Sequence, residues 1–255
     1  LSAWAPVRGA RAAFIFLTRL PVGGFPYSDD DWRWAGAYFP LVGIVVGAMV
    51  ACVDRLLLPL GAFAAALGAV AVSLLVTGAF HEDGFADTTD ALGGGFDREK
   101  VLLILKDSRI GAYGACALIV SIVGRTALLA RLGPQAAWAV PLVAAVARVG
   151  PVWQIAALPY VASPASKSRG VARAGVSQAS VATAWAVAAG LVAMMAGRFG
   201  ALRVVAMFAA MAVVTLVSAW RYVRRVGGVT GDFLGATEQL CELVGYAALA
   251  WGVAF

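Results

Sequence analysis

The chain has 255 residues, of which 62% are hydrophobic and only 13% charged. Soluble domains run near half apolar and a quarter charged, so this chain lacks the charge to dress a water-facing surface, and lipid is the expected solvent for most of it. The formal charge of +6 suits anionic head groups or phosphorylated substrates, and the basic residues form no long stripe of the kind that binds nucleic acid.

In chain order, the first stretch carries Arg8, Arg11 and Arg19 within about one quadrant of a helix turning ~100° per residue. That pattern predicts an interfacial helix in a cytoplasmic segment 1–34. The arginines also interrupt the apolar core that a cleavable signal peptide needs. Runs near 35–53, 60–79, 112–133, 135–161, 179–197 and 201–219 meet the requirement of about 20 mostly apolar residues for a membrane-crossing helix. A seventh run, 236–255, is weaker because Glu238 and Glu242 interrupt it. Cys52, Cys116 and Cys241 lie in apolar stretches without C-x-x-C spacing and read as small buried hydrophobes.

Threading about seven spans puts 1–34, 80–111, 162–178 and 220–235 on one side, together with most of the arginines and lysines. The positive-inside rule makes that side cytoplasmic. All the acidic residues except Asp54 fall on the same side or at its edge. Acids barely influence topology, so a polar site facing the cytoplasm is the natural cause. The predicted architecture is all-α, a polytopic membrane helical bundle with an N-terminal interfacial helix. Residues 1–255 form a single integral membrane domain, and 80–111 is its acidic active-site segment.

Within that segment, Asp83, Asp87 and Asp90 are spaced four and three apart and project from one helix face. Carboxylates so close repel unless a cation sits among them. Hard oxygen ligands favour Mg²⁺ or Mn²⁺ over zinc. His81, the one histidine in the chain, is open to the roles of general base, ligand or interfacial hydrogen-bonding group. Downstream, Lys106, Asp107, Ser108 and Arg109 precede a new span. Arg109 can grip phosphate oxygens in bidentate fashion and Lys106 can act as a point charge, although both also suit simple anchoring. The glycine-rich turn 227–231 enters a helix bearing Asp232, Glu238 and Glu242. Ionisable groups inside a span default to function, and pairing with Arg125 or Arg148 in neighbouring spans is the structural alternative. Lys167, Arg169 and Arg173 mark a basic loop, 162–178, open to surface anchoring or to a phosphate-gripping role.

Four stretches together resemble the cobalamin synthase (adenosylcobinamide-GDP ribazoletransferase) family. They are Phe16-Leu17-Thr18-Arg19-Leu20-Pro21-Val22, Phe39-Pro40-Leu41-Val42-Gly43, residues 81–90 with Lys106-Asp107-Ser108-Arg109-Ile110-Gly111, and residues 230–236 followed by Glu238. They occur in family order across nearly the whole chain. Where this chain has Glu82, the family pattern often has Leu. The resemblance implies a Mg²⁺-dependent enzyme of the bacterial cytoplasmic (inner) membrane, working with adenosylcobinamide-GDP and α-ribazole or α-ribazole 5′-phosphate. A ribazole hydroxyl attacks the cobinamide-linked phosphate, GMP leaves, and adenosylcobalamin or its phosphate forms, the last assembly step of the nucleotide loop.

On that basis Asp83, Asp87, Asp90 and Asp107 are expected to hold the metal, with His81, Asp83 and Asp87 catalytic. Glu82, Lys106, Ser108, Arg109, Arg148, Asp232 and Glu238 are expected to contact substrate. Whether the chain forms a homo-oligomer is left open by the sequence. A CDP-alcohol-type membrane phosphotransferase is the rival enzyme, partly echoed by Asp83-Gly84-Phe85-Ala86-Asp87 but lacking the arginine that usually follows the alanine. A transporter is the rival from another class, which no repeated halves or paired broken helices support.

Overall fold

The structure, a computed structural model, describes residues 5–24, 27–161 and 173–253. It is built of α-helices. Among the described residues the only β-pairing is an isolated bridge between Tyr160 and Val229.

Helix α1 (Ala5–Leu17) packs against α2 (Asp29–Ala35) at the N-terminus. Ser28 and Asp31 form a reciprocal capping box at the start of α2, and Arg8 reaches the buried Asp31 at 3.0 Å. Next come α3 (Phe39–Leu57), α4 (Ala62–Thr77), α5 (Phe80–Gly94) and the short α6 (Arg98–Ile104). Helices α7 (Ala112–Leu132), α8 (Ala136–Ala147) and α9 (Val149–Ala157) follow, then α10 (Val176–Met195), α11 (Ala201–Val226) and α12 (Gly231–Ala250).

The core is rich in small residues, as expected where helices associate in lipid by close approach instead of by water exclusion. The most extensive contact is α3 on α8. There Gly43 and Gly47 leave no room for a Cβ against the backbone of Ala144 and Pro141. The pairing of 43 with 144 and 47 with 141 makes these two helices antiparallel. Helices α7 and α12 run parallel, since Ser121 meets Gln239, Arg125 meets Glu242, and Arg131 meets the carbonyls of Ala250 and Val253.

By length and hydropathy, four helical runs can cross a membrane: Asp29–Leu60, Ala112–Ala157, Val176–Met195 and Ala201–Val226. A fifth would be α4 with α5, a pair bent by 92°. The expected count of about seven is not reached by this measure. The run 112–157 counts once although Gly133 turns it with φ 52°, and α12, which carries Asp232, Glu238 and Glu242, is not among the qualifying helices.

The bend between α4 and α5 positions the site. Gly78 (φ 69°) caps α4, and Ala79 (φ 54°) follows it in the same left-handed region. For a residue with a Cβ that conformation costs about 1 kcal/mol. Two successive left-handed residues swing α5 off the axis of α4, and α5 lies outside the four runs that qualify as spans by themselves.

Candidate active site

Helix α5 presents acids in two directions. His81 and Glu82 point into the bundle and are buried, whereas Asp83 is exposed and Asp87 half-buried. Across from them stands the first turn of α12, capped by the Thr230 side chain, which accepts the Phe233 N–H. The helices cross at Gly84, where an added Cβ would lie 2.8 Å from the Asp232 carbonyl oxygen and 2.9 Å from its Cα. This crossing sets Asp232 among the α5 carboxylates, a placement sequence spacing could not show.

Burial raises the Asp87 carboxyl to about 7, and the charges of Asp83, Asp232 and Asp90 add to the rise. The outer carboxylates therefore face one another, and among the described residues no cation acts on Asp87 to offset them. Among the described residues no three His, Cys, Asp or Glu side chains close around a point as a complete metal cage. The expected set of Asp83, Asp87, Asp90 and Asp107 is therefore not gathered around one point.

Asp90 is used differently from its neighbours. Its two oxygens accept the backbone N–H groups of Gly111 at 2.7 Å and Gly114 at 2.9 Å, so the expected metal ligand is occupied by the start of α7. Asp107, also expected on the metal, pairs with Arg109 through contacts of 2.7 and 3.0 Å. The side-chain hydrogen bonds from Arg109 hold its carboxyl down at about 2. Lys106, Ser108 and Arg109 are exposed on the loop before α7. Arg173 pairs with Asp29, while Lys167 and Arg169 lie outside the described residues.

Beneath the outer acids lies a buried ionic cluster. Arg125 of α7 bridges Glu82 of α5 at 2.9 Å and Glu242 of α12 at 3.2 Å. Arg148, between α8 and α9, contacts Glu238 at 2.9 Å and Glu242 at 3.6 Å. His81 Nδ1 lies 3.7 Å from Glu238, and Gln239 donates to that same carboxylate at 3.0 Å. All the charged members are less than a tenth exposed. The pairing of Glu238 and Glu242 with Arg125 and Arg148 follows the structural alternative raised from the sequence. The inclusion of Glu82 was missed, and the signal available was its buried-side register one residue before Asp83.

A cavity of ≈ 40 Å³ opens between this cluster and the aromatic rings of Phe16, Phe39 and Phe80, with His81, Arg148 and Glu238 on its polar side. It has room for a water or two. Phe16 and Phe39 stack with centroids 6.0 Å apart, and Phe80 meets Phe16 edge-on at 5.2 Å. Stretches that are far apart in sequence, 16–22, 39–43, 81–90 and 230–238, thus meet at one place.

A family model described as cobalamin-5-phosphate synthase matches residues 9–250. An adenosylcobinamide-GDP ribazoletransferase of Rhizobium etli (strain CIAT 652) is 44% identical over 250 residues, covering 93% of this chain and 94% of the relative. Proteins with the same description from Polaromonas sp. and Leptothrix cholodnii are each 39% identical, covering 96% and 98% of this chain and 96% and 99% of their own. No solved structure matches. The match of family model and relatives over nearly the full length establishes that the chain belongs to the cobalamin-5-phosphate synthase family.

Proposed function

We propose that this chain joins adenosylcobinamide-GDP to α-ribazole or α-ribazole 5′-phosphate, releasing GMP, at a Mg²⁺-dependent site on the cytoplasmic face of a bacterial inner membrane. The supporting observation is the set of outer carboxylates, Asp83, Asp87 and Asp232, brought together at the crossing of α5 and α12 with no cation among the described residues acting on Asp87. We further propose seven passes within one integral membrane domain, consistent with the antiparallel packing of α3 on α8 and the parallel packing of α7 and α12.

In this reading Asp83 and Asp87 hold the metal with the substrate diphosphate, and Asp232 faces them from α12. Mg²⁺ would supply neutralisation of the diphosphate charge and of the departing phosphate. The ribazole hydroxyl oxygen forms a bond to the cobinamide-linked phosphorus. The bond from that phosphorus to the bridging oxygen breaks, and GMP departs with that oxygen. The hydroxyl proton passes to a neighbouring base, for which His81 and the outer carboxylates are the available groups. Lys106 and Arg109 are placed on a water-exposed loop where they can meet phosphate oxygens. Glu82, Arg148 and Glu238 act beneath the substrate, holding α5 and α12 in register.

The test is GMP release by the purified protein in detergent. It is expected to require both substrates and Mg²⁺ and to stop on chelation. Asp87→Asn is expected to lower turnover more than about 100-fold, beyond the loss typical of an outer-shell partner, while the variant still folds and unfolds cooperatively on heating. Full turnover by that variant would remove the metal assignment.

A further inference from the structure

We propose that Asp90 is a positioning residue, which ties the loop bearing Lys106 and Arg109 to the helix bearing Asp83 and Asp87, and is not itself a cation ligand. This rests on the reading of Asp83 and Asp87 as the ligands.

The N-terminus of α7 lacks a side-chain cap of its own. Its N-cap is Gly111, which has no side chain to accept the orphan amides of the first turn. Asp90, 21 residues earlier and on another helix, does that work, with one oxygen on the Gly111 N–H and the other on the Gly114 N–H. Hydrogen bonds from backbone amides to a carboxylate are the stronger, charge-assisted kind, and the positive end of the α7 dipole adds to them.

The fit is tight on the α7 side. A Cβ built on Gly111 would stand 2.8 Å from the Asp90 carboxyl carbon, and one built on Gly114 would stand 2.9 Å from the Ala86 carbonyl oxygen. A side chain at Gly114 would push the two helices apart, and one at Gly111 would displace the Asp90 carboxylate. Gly111 closes the exposed segment 105–110, so fixing Gly111 fixes one end of that loop. Asp83, Asp87 and Asp90 share a helix face, so the latch brings the loop to the border of the outer carboxylates. The spacing between those carboxylates and the loop cations is thereby set by two hydrogen bonds.

Asp90→Asn, Asp90→Ala and Gly114→Ala are compared with Asp87→Asn in the full chain in detergent. KM for adenosylcobinamide-GDP, kcat and the half-activating Mg²⁺ concentration are measured, together with amide exchange across 105–114. The expected result is a rise of about 10-fold in KM for Asp90→Ala and for Gly114→Ala, with half-activating Mg²⁺ within about 2-fold of the unaltered protein. Asp90→Asn, which keeps one acceptor oxygen, should recover part of the loss, and the Gly111 and Gly114 amides should lose protection in Asp90→Ala. A shift of 10-fold or more in half-activating Mg²⁺ for the Asp90 variants would make Asp90 a ligand and overturn the proposal. A lower unfolding temperature with KM and kcat unchanged would reduce the contact to plain structural support and overturn it equally. If Asp87→Asn leaves the Mg²⁺ dependence untouched, the metal reading fails, while the latch is still decided by KM and amide protection.

Discussion

Helices α5 and α12 each contribute to two sets of acids that differ in one respect. Glu82, Glu238 and Glu242 face inward and meet Arg125 and Arg148 within 3.6 Å. Asp83, Asp87 and Asp232 lie at the outer edge and meet one another. The change from one set to the other takes a single residue step on α5, from Glu82 to Asp83. A buried carboxylate with its guanidinium in place has its charge countered inside the protein, even though Glu82 Oε2, Arg125 Nε and Arg148 Nε are left without a hydrogen-bond partner. One that faces other carboxylates is incomplete and is poised to accept an external cation or a proton. A conserved-looking acid in a membrane helix therefore says little until its counter-charge is known.

The sharpest way to break this contrast is Arg125→Leu. It leaves Glu82 and Glu242 buried without their shared partner, for which about 3–5 kcal/mol is expected. An unfolding temperature in detergent that does not move would show that the inner set is not structural. Asp87→Asn tests the outer set through pH. With Asp87 held at about 7 against an ordinary 3.8, the folded state keeps a proton that the unfolded chain releases. Stability in metal-free detergent should therefore fall as pH climbs from about 4 to about 7. The Asn variant should show a flatter profile between pH 5 and 8, and an identical slope would remove the electrostatic account of this carboxyl. Glu82→Leu is expected to have a smaller effect, within about 1 kcal/mol. Arg125 retains Glu242, and the cluster passes from three carboxylates against two guanidinium groups to two against two. A loss as large as that of Arg125→Leu would contradict this charge count. Smallest of all is Asp107→Asn, which removes an exposed pair and should leave the unfolding temperature where it was.

Much of this was legible in the sequence. Long apolar runs show as membrane helices whatever their neighbours, because lipid demands length and apolarity of each helix alone. The 83, 87, 90 spacing shows a shared face because helix geometry is local. What stayed hidden depends on contacts between distant segments. Asp90 looked like Asp83 and Asp87 because spacing does not reveal an acceptor's donors, and its donors are two glycine amides beyond α6. Glu82 was expected to contact substrate, and its inward direction depends on the bend at Gly78 and Ala79. That bend was unreadable because alanine rarely adopts a positive φ. Asp232 was expected to touch substrate, and only the crossing at Gly84 sets it beside the α5 acids.

The 92° turn between α4 and α5 has a consequence for depth. Along a helix standing upright in the bilayer, each turn lies about 5.4 Å deeper than the last, so acids one turn apart would sit in different surroundings. With α4 upright, α5 lies on its side, and successive turns stay level with one another. On the proposed reading, with α5 at the cytoplasmic surface, water and large charged reactants would reach Asp83 and Asp87 together without entering the hydrocarbon.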